Sequence, residues 1–186
     1  MKFQIMHRDT VFRGKIFDLQ KVKVRMPDDH LAVLDLLIHP GAVVILPIDQ
    51  KGNILFIRQL RVGAGGMLLE LPAGTLEPEE DPADCAGREL REETGMAARE
   101  LHKLGNFFLA PGYSTEYLHI YLATDLYPSP LPGDADEYLT VKPIPVKEAY
   151  AMAQRGEMDD GKTLAVLFMA LPYLSHDRDS WQVLEQ

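Results

Sequence analysis

Glu89, Glu92 and Glu93 stand three and four residues apart, a spacing that puts side chains on neighbouring stripes of one helix face. Like charges so placed repel by roughly 0.2 to 0.5 kcal/mol per pair on an exposed helix, and by more when partly buried. A cation is therefore expected among them. Hard divalent ions such as Mg²⁺ take oxygen ligands and keep several waters, so three carboxylates on one face make a candidate metal site that would draw in substrate phosphates. Arg88 precedes Glu89 and reaches Glu92 at i+4 with a planar fork of donors suited to a carboxylate; the plainer alternative is a surface ion pair. An acidic run taken alone is a solvated helix face, and the residues around this one decide between the two readings.

The element that must carry these groups has both ends marked. Asp81 suits the N-cap, Pro82 the first helical position and Gly95 the left-handed residue that ends a helix, which predicts a helix over about 82–94. Ala83, Ala86, Leu90 and Thr94 form a packing stripe beside the acidic one. Upstream, alternating apolar residues predict strands over 14–26, 31–38, 42–46 and 53–58, separated by turns at Pro27-Asp28-Asp29, Pro40-Gly41 and Asp49–Gly52. Downstream, strands are expected over 100–109, 116–123 and 137–141, then helices over 146–154 and about 162–174, the second with Leu164, Leu167, Phe168 and Leu171 at helical spacing. The loop 127–136 holds three prolines and a glycine, and is the segment expected to move. Strands and helices are mixed, not regularly alternating.

At 186 residues the chain suits one domain with a short N-terminal extension. A formal net charge of −9 excludes a general nucleic-acid binder, whose affinity comes from Lys and Arg paired with phosphates; a phosphate-bearing ligand would need metal ions as intermediaries. The N-terminus lacks a signal-peptide pattern, and no run of about 18 apolar residues occurs, so a cytoplasmic protein with no membrane association is expected. Cys85, the only cysteine, can form no internal disulfide and reads as a packing residue. The six histidines, His7, His30, His39, His102, His119 and His176, show no zinc-site pairing. They are assigned no catalytic role.

The segment 71–96, LPAGTLEPEEDPADCAGRELREETGM, places Gly74, five residues, Glu80, seven residues, Arg88-Glu89-Leu90, one residue, Glu92-Glu93, one residue and Gly95-Met96 in order. This resembles the Nudix box at every specified position. The resemblance implies an α/β fold with a mixed (α+β) sheet: a Nudix α/β/α sandwich carrying an N-terminal antiparallel β extension, divided as residues 1–40 and 41–186. It implies Glu89 and Glu93 as principal metal ligands, Glu92 as a further ligand, and Arg88 orienting the carboxylates, with Mg²⁺ as cofactor or Mn²⁺ in its place.

Beyond the box the chain is similar to the branch of that family that hydrolyses ADP-ribose, through Gly41-Ala42-Val43, Arg58-Gln59-Leu60-Arg61, Leu69 to Gly74 and Ala110 to Glu116. A proline after the box, here Pro111, marks that branch. By this similarity the Ala73 carbonyl ligates a metal, Arg61 contacts the diphosphate, Glu70 and Glu116 line the site, and Pro111 and Gly112 border the substrate. Arg61 could also be an ordinary surface arginine. Leu34 departs from the branch, which often has a basic residue beside the acid now at Asp35.

The expected reaction is metal-dependent attack of water on a diphosphate, giving AMP and ribose 5-phosphate from ADP-ribose. The general base is sought in the acidic loop Gly133 to Glu137, with Glu137 first, then Asp136, Asp134 and Glu116; loop solubility is the alternative for each. Tyr113, Phe107 and Phe108 suit stacking on adenine or ordinary packing. The branch also implies a homodimer with exchanged N-terminal strands, which the apolar Val11, Phe12 and Phe17 would fit, although they could equally cover their own core. Another nucleoside diphosphate derivative, such as GDP-mannose or 8-oxo-dGDP, is the alternative substrate. From a different class, a catalytically silent nucleotide-sugar sensor would not need three clustered carboxylates.

Overall fold

The computed structural model describes residues 2–133 and 137–174. Asp134 and Asp136, two of the expected candidate bases, lie outside the described residues, as does His176. Ten strands and three α-helices are described: β1 (Gln4–Arg13), β2 (Asp18–Arg25), β3 (Leu31–Ile38), β4 (Ala42–Pro47), β5 (Asn53–Arg61), β6 (Gly66–Glu70), β7 (Ala73–Thr75), α1 (Pro82–Thr94), β8 (Met96–Phe108), β9 (Tyr117–Pro128), β10 (Leu139–Pro145), α2 (Val146–Gln154) and α3 (Gly161–Leu174).

Side-chain alternation along β4 builds the layers. Ala42, Val44 and Leu46 turn to one face, where they join Phe56, Ile120 and residues of α2 and α3 such as Tyr150 and Leu167 in the larger core. Val43 and Ile45 turn to the other face and pack with Tyr121, Ala123 and the Cys85, Ala86 and Leu90 stripe of α1. Helices thus cover both faces of a mixed sheet of order β7-β4-β9-β8, in which β4 runs parallel to β9 and antiparallel to β7. A second, antiparallel sheet of order β10-β5-β6 completes the α/β/α sandwich. Because both faces of β4 are covered, all six of its residues are buried.

Helix α1 starts and stops as its residues require. The Asp81 carboxylate accepts the Ala83 N–H at 2.8 Å, Pro82 opens the helix, and Gly95 closes it at φ 72°, a conformation that costs glycine no Cβ clash. A Ser, Thr, Asn or Asp cap contributes about 1 kcal/mol relative to alanine.

Strands β1, β2 and β3 form a separate antiparallel sheet. Its backbone joins the main body at Leu37, whose N–H donates to the Tyr113 carbonyl and whose carbonyl accepts the Thr115 N–H. The strand expected over 14–26 begins at Asp18, and β1 is an additional strand with nine of its ten residues exposed. The short β6 and β7 were not foreseen, and β9 runs on to Pro128, into the segment expected to be loop.

Candidate active site

Four structural neighbours converge on one cavity of about 1090 Å³: the end of β5, strand β7, the acidic face of α1, and the turn before β9. Arg61, Ala73, Glu89 and Glu92 line it, as do Arg88, Glu116 and Glu137. Glu93 and Glu70 are buried, with relative exposures of 3% and 0%. Pro111 and Gly112 are exposed turn residues; their neighbours Ala110, Tyr113 and Ser114 face the cavity instead. Phe107 packs against the larger core, and Phe108 stacks on Tyr117 with ring centroids 4.7 Å apart. Of the histidines, His39 lines the cavity, and its Nδ1 accepts the Gly41 N–H at 3.0 Å.

The acidic helix is joined to strand β7 by a carboxylate side chain that accepts a backbone N–H. Glu93 Oε2 accepts the Ala73 N–H at 2.9 Å, while Oε1 is buried with no hydrogen-bond partner. An orphaned carboxylate oxygen is costly to bury, and burial pushes the Glu93 carboxyl well above its ordinary range despite the Ala73 N–H. Burial likewise raises Glu89 to about 7, against the pull of Arg88. In both the cost of burial outweighs the nearby arginines, Arg88 for Glu89 and Arg61 for Glu93.

Arg88 supplies positive charge to the acidic face. Its Nε and Nη2 donate to Glu80 at 2.9 and 3.0 Å, and its Nη1 donates to Glu89 at 2.7 Å and to Glu92 at 2.9 Å. The Glu92 contact follows from the i+4 spacing; the Glu80 pair, which comes from the loop before α1, was not read from the sequence. Held by this fork, Glu80 sits far below its ordinary value, at about 2. Arg88 takes one oxygen each of Glu89 and Glu92, and among the described residues no three His, Cys, Asp or Glu side chains are gathered tightly enough to hold a cation as they stand. The donors are all oxygens, and the Glu93 oxygen is unsatisfied. That chemistry fits a hard divalent ion.

A second cluster lies on the cavity wall around Arg61 and Lys162. Glu70 accepts from Arg61 at two points, Nε to Oε1 at 2.7 Å and Nη2 to Oε2 at 3.0 Å, and also from Lys162 Nζ at Oε2. Lys162 was missed in the sequence. The only available signal was Asp160-Gly161-Lys162-Thr163, which reads as a helix start and carries no hint of a partner 92 residues away. Lys15 and Tyr138, also unassigned from sequence, line the cavity, as does Phe17, which the sequence offered for an exchanged arm or its own core.

The NUDIX domain family model matches residues 38–167. The chain belongs to the Nudix family and is a Nudix hydrolase. Among characterised relatives it is 34% identical over 158 residues to the ADP-ribose pyrophosphatase of Bacillus subtilis (strain 168), covering 84% of this chain and 85% of that one. It is 36% identical over 168 residues to the ADP-ribose pyrophosphatase of Mycobacterium tuberculosis (strain ATCC 25618 / H37Rv), covering 88% and 80%. A crystal structure of an ADP compounds hydrolase superposes with a TM-score of 0.83 at 28% identity, covering 94% of this chain and 95% of the other.

Proposed function

We propose that this hydrolase splits ADP-ribose into AMP and ribose 5-phosphate with the help of Mg²⁺, Mn²⁺ serving in its place. The observation that carries the reading is the unsatisfied Glu93 oxygen beneath a cavity lined by Glu89, Glu92 and Arg61. Two relatives named for ADP-ribose support the choice of substrate. Glu89, Glu93, Glu92 and the Ala73 carbonyl would hold the ion, which when bound supplies charge to neutralise the diphosphate and acidifies a water.

The chain's own residues do the rest. Arg61, with Nε and Nη2 committed to Glu70, presents its remaining edge to a phosphate and stabilises charge developing there. Arg88 bridges Glu89 and Glu92 through one nitrogen, Nη1, and so fixes the orientation of both carboxylates. Glu137, which lines the cavity and bears electrostatically on Arg61, Glu89 and Glu93, accepts a proton from the attacking water; Glu116 is the reserve among the described residues. The new P–O bond forms as the bond to the bridging oxygen breaks, and that oxygen leaves with the other product.

The protein acts as a cytoplasmic homodimer in this reading. Exposed Ile5, Val11 and Phe12 on β1 and Leu31, Val33 and Leu34 on β3 give the N-terminal sheet apolar side chains on both faces, suited to a second copy, with strand exchange as the expected arrangement. Among the described residues no helix is long and apolar enough to cross a membrane, and the acidic charge disfavours nucleic acid as a partner.

The test is product analysis with ADP-ribose, GDP-mannose and 8-oxo-dGDP side by side, with and without Mg²⁺, and with Glu93→Gln as control. Mg²⁺-dependent release of AMP from ADP-ribose, lost in the variant, is the expected result. Preference for another compound would overturn the substrate, and binding without turnover would favour a sensor.

A further inference from the structure

The residues at the start of α3 form a chain of contacts that ends on Arg61. Asp160 stands just before the helix, and its Oδ2 accepts the Thr163 N–H at 3.0 Å and the Thr163 hydroxyl at 2.6 Å, the geometry of an N-cap. The Thr163 Oγ1 in turn accepts the Leu71 N–H at 2.9 Å, which locks the helix start to the segment that leads from β6 into β7. Asp160 Oδ1 accepts from Lys162 Nζ at 2.9 Å, and Lys162 also donates to Glu70 Oε2.

Glu70 has no exposed surface at all, while the Lys162 side chain is 15% exposed and that of Arg61 39%. A carboxylate so buried must be paired. It is shared between two cations that both line the cavity, Lys162 at the start of the capped helix and Arg61 at the end of β5. Lys162 spends two of its three donors on Asp160 and Glu70, which ties its ammonium to those two carboxylates. Arg61 spends its Nε and one Nη2 donor on Glu70 and keeps its Nη1 edge uncommitted to that carboxylate.

We propose that Lys162 is a positioning residue: by sharing the buried Glu70 carboxylate with Arg61, it fixes the plane of that carboxylate and thereby the direction in which the Arg61 guanidinium faces the cavity. Remove Lys162 and the carboxylate plane is set by Arg61 alone, so the pair turns together. A bidentate guanidinium contact to phosphate depends on orientation, and the loss should fall on substrate binding and not on the chemical step. This proposal rests on the reading that Arg61 meets the diphosphate.

A double-variant cycle on ADP-ribose hydrolysis tests it, because residues acting through one contact do not add. Lys162→Met should raise KM about tenfold with kcat changed less than threefold, Lys162→Arg should restore most of the loss, and Lys162→Met combined with Arg61→Ala should have the KM of Arg61→Ala alone within twofold. Effects that multiply would mean that Lys162 acts independently of Arg61 and would overturn the proposal, as would a lowered Tm with KM unchanged.

A second measurement needs no turnover. The Arg61 Nε–H resonance, identified by its loss in Arg61→Lys, should be slow to exchange in the parent protein and in Lys162→Arg, and shifted with faster exchange in Lys162→Met. An unchanged resonance in the methionine variant overturns the proposal whatever the substrate is. Should ADP-ribose not be hydrolysed by the parent, the substrate reading fails and this resonance alone decides the role of Lys162.

Discussion

A Cβ placed on Gly74 would stand 1.9 Å from the Glu89 carboxyl carbon and from its Oε1. The Glu89 carboxyl therefore sits against the strand as it does because residue 74 has no side chain. Gly74→Ala must push the Glu89 carboxyl aside and off Arg88. Activity should fall at least about a hundredfold, and the protein should lose on the order of 1–3 kcal/mol, the usual range for overpacking. Kinetics with a denaturant titration check both; an alanine variant with parental activity would show that Glu89 has room to spare.

The Glu80–Arg88 fork makes a pH-dependent contribution whose sign follows from the direction of the shift. Glu80 is lowered from 4.5 to about 2, chiefly by the Arg88 hydrogen bonds, so it stabilises the fold fully above about 4.5 and loses that contribution as pH falls through about 2. Solvent at the edge of the pair reduces the effect to about 1 kcal/mol. Parent and Glu80→Gln should thus differ by about that amount at pH 6 and converge toward pH 2 in urea titrations. A gap that stays constant with pH would assign the loss to packing.

Divalent ions should stabilise the protein through Glu93. At a hundredfold over Kd a ligand of the folded state adds about 2.7 kcal/mol, which is a rise of several degrees in Tm for a chain of this size. Glu93→Gln should abolish most of that rise. If Mg²⁺ shifts the Tm of parent and variant equally, the ion binds elsewhere.

Glu137→Gln should cost between about 10² and 10⁴ in kcat if Glu137 takes the proton from water. A loss well under tenfold removes it as the base and directs attention to Asp134, Asp136 and Glu116.

Helix α1 was readable almost to the residue because Asp81, Pro82 and Gly95 are local signals, and its Arg88–Glu92 contact follows from helical spacing alone. Helix α2 matched its expected bounds for a similar reason, an apolar period of 3.6 over a whole segment. Strand β1 escaped because the period-2 signal arises from burying one face, and β1 buries neither: His7, Arg8 and Asp9 interrupt its apolar residues. Strands β6 and β7 are short and interrupted by Pro72, so no pattern had room to develop. The Glu70–Lys162 and Glu80–Arg88 pairs were hidden for another reason. They are tertiary contacts: Glu70, Glu80 and Arg88 were each singled out, but no local rule pairs Glu70 with Lys162 or Glu80 with Arg88.

The buried thiol of Cys85 gives the fold an internal clock. Its side chain is sealed between α1 and the sheet, the Arg88 guanidinium lies 3.3 Å from Sγ, and burial above all raises its pKa far beyond that of a free cysteine. The reactive thiolate is thus suppressed twice, by access and by acidity. Alkylating reagents in the native state can reach it only when α1 detaches, so the rate at which iodoacetamide consumes this single cysteine measures how often the acidic helix leaves its sheet. The acidic helix carries its own reporter, readable by mass spectrometry without any engineered label.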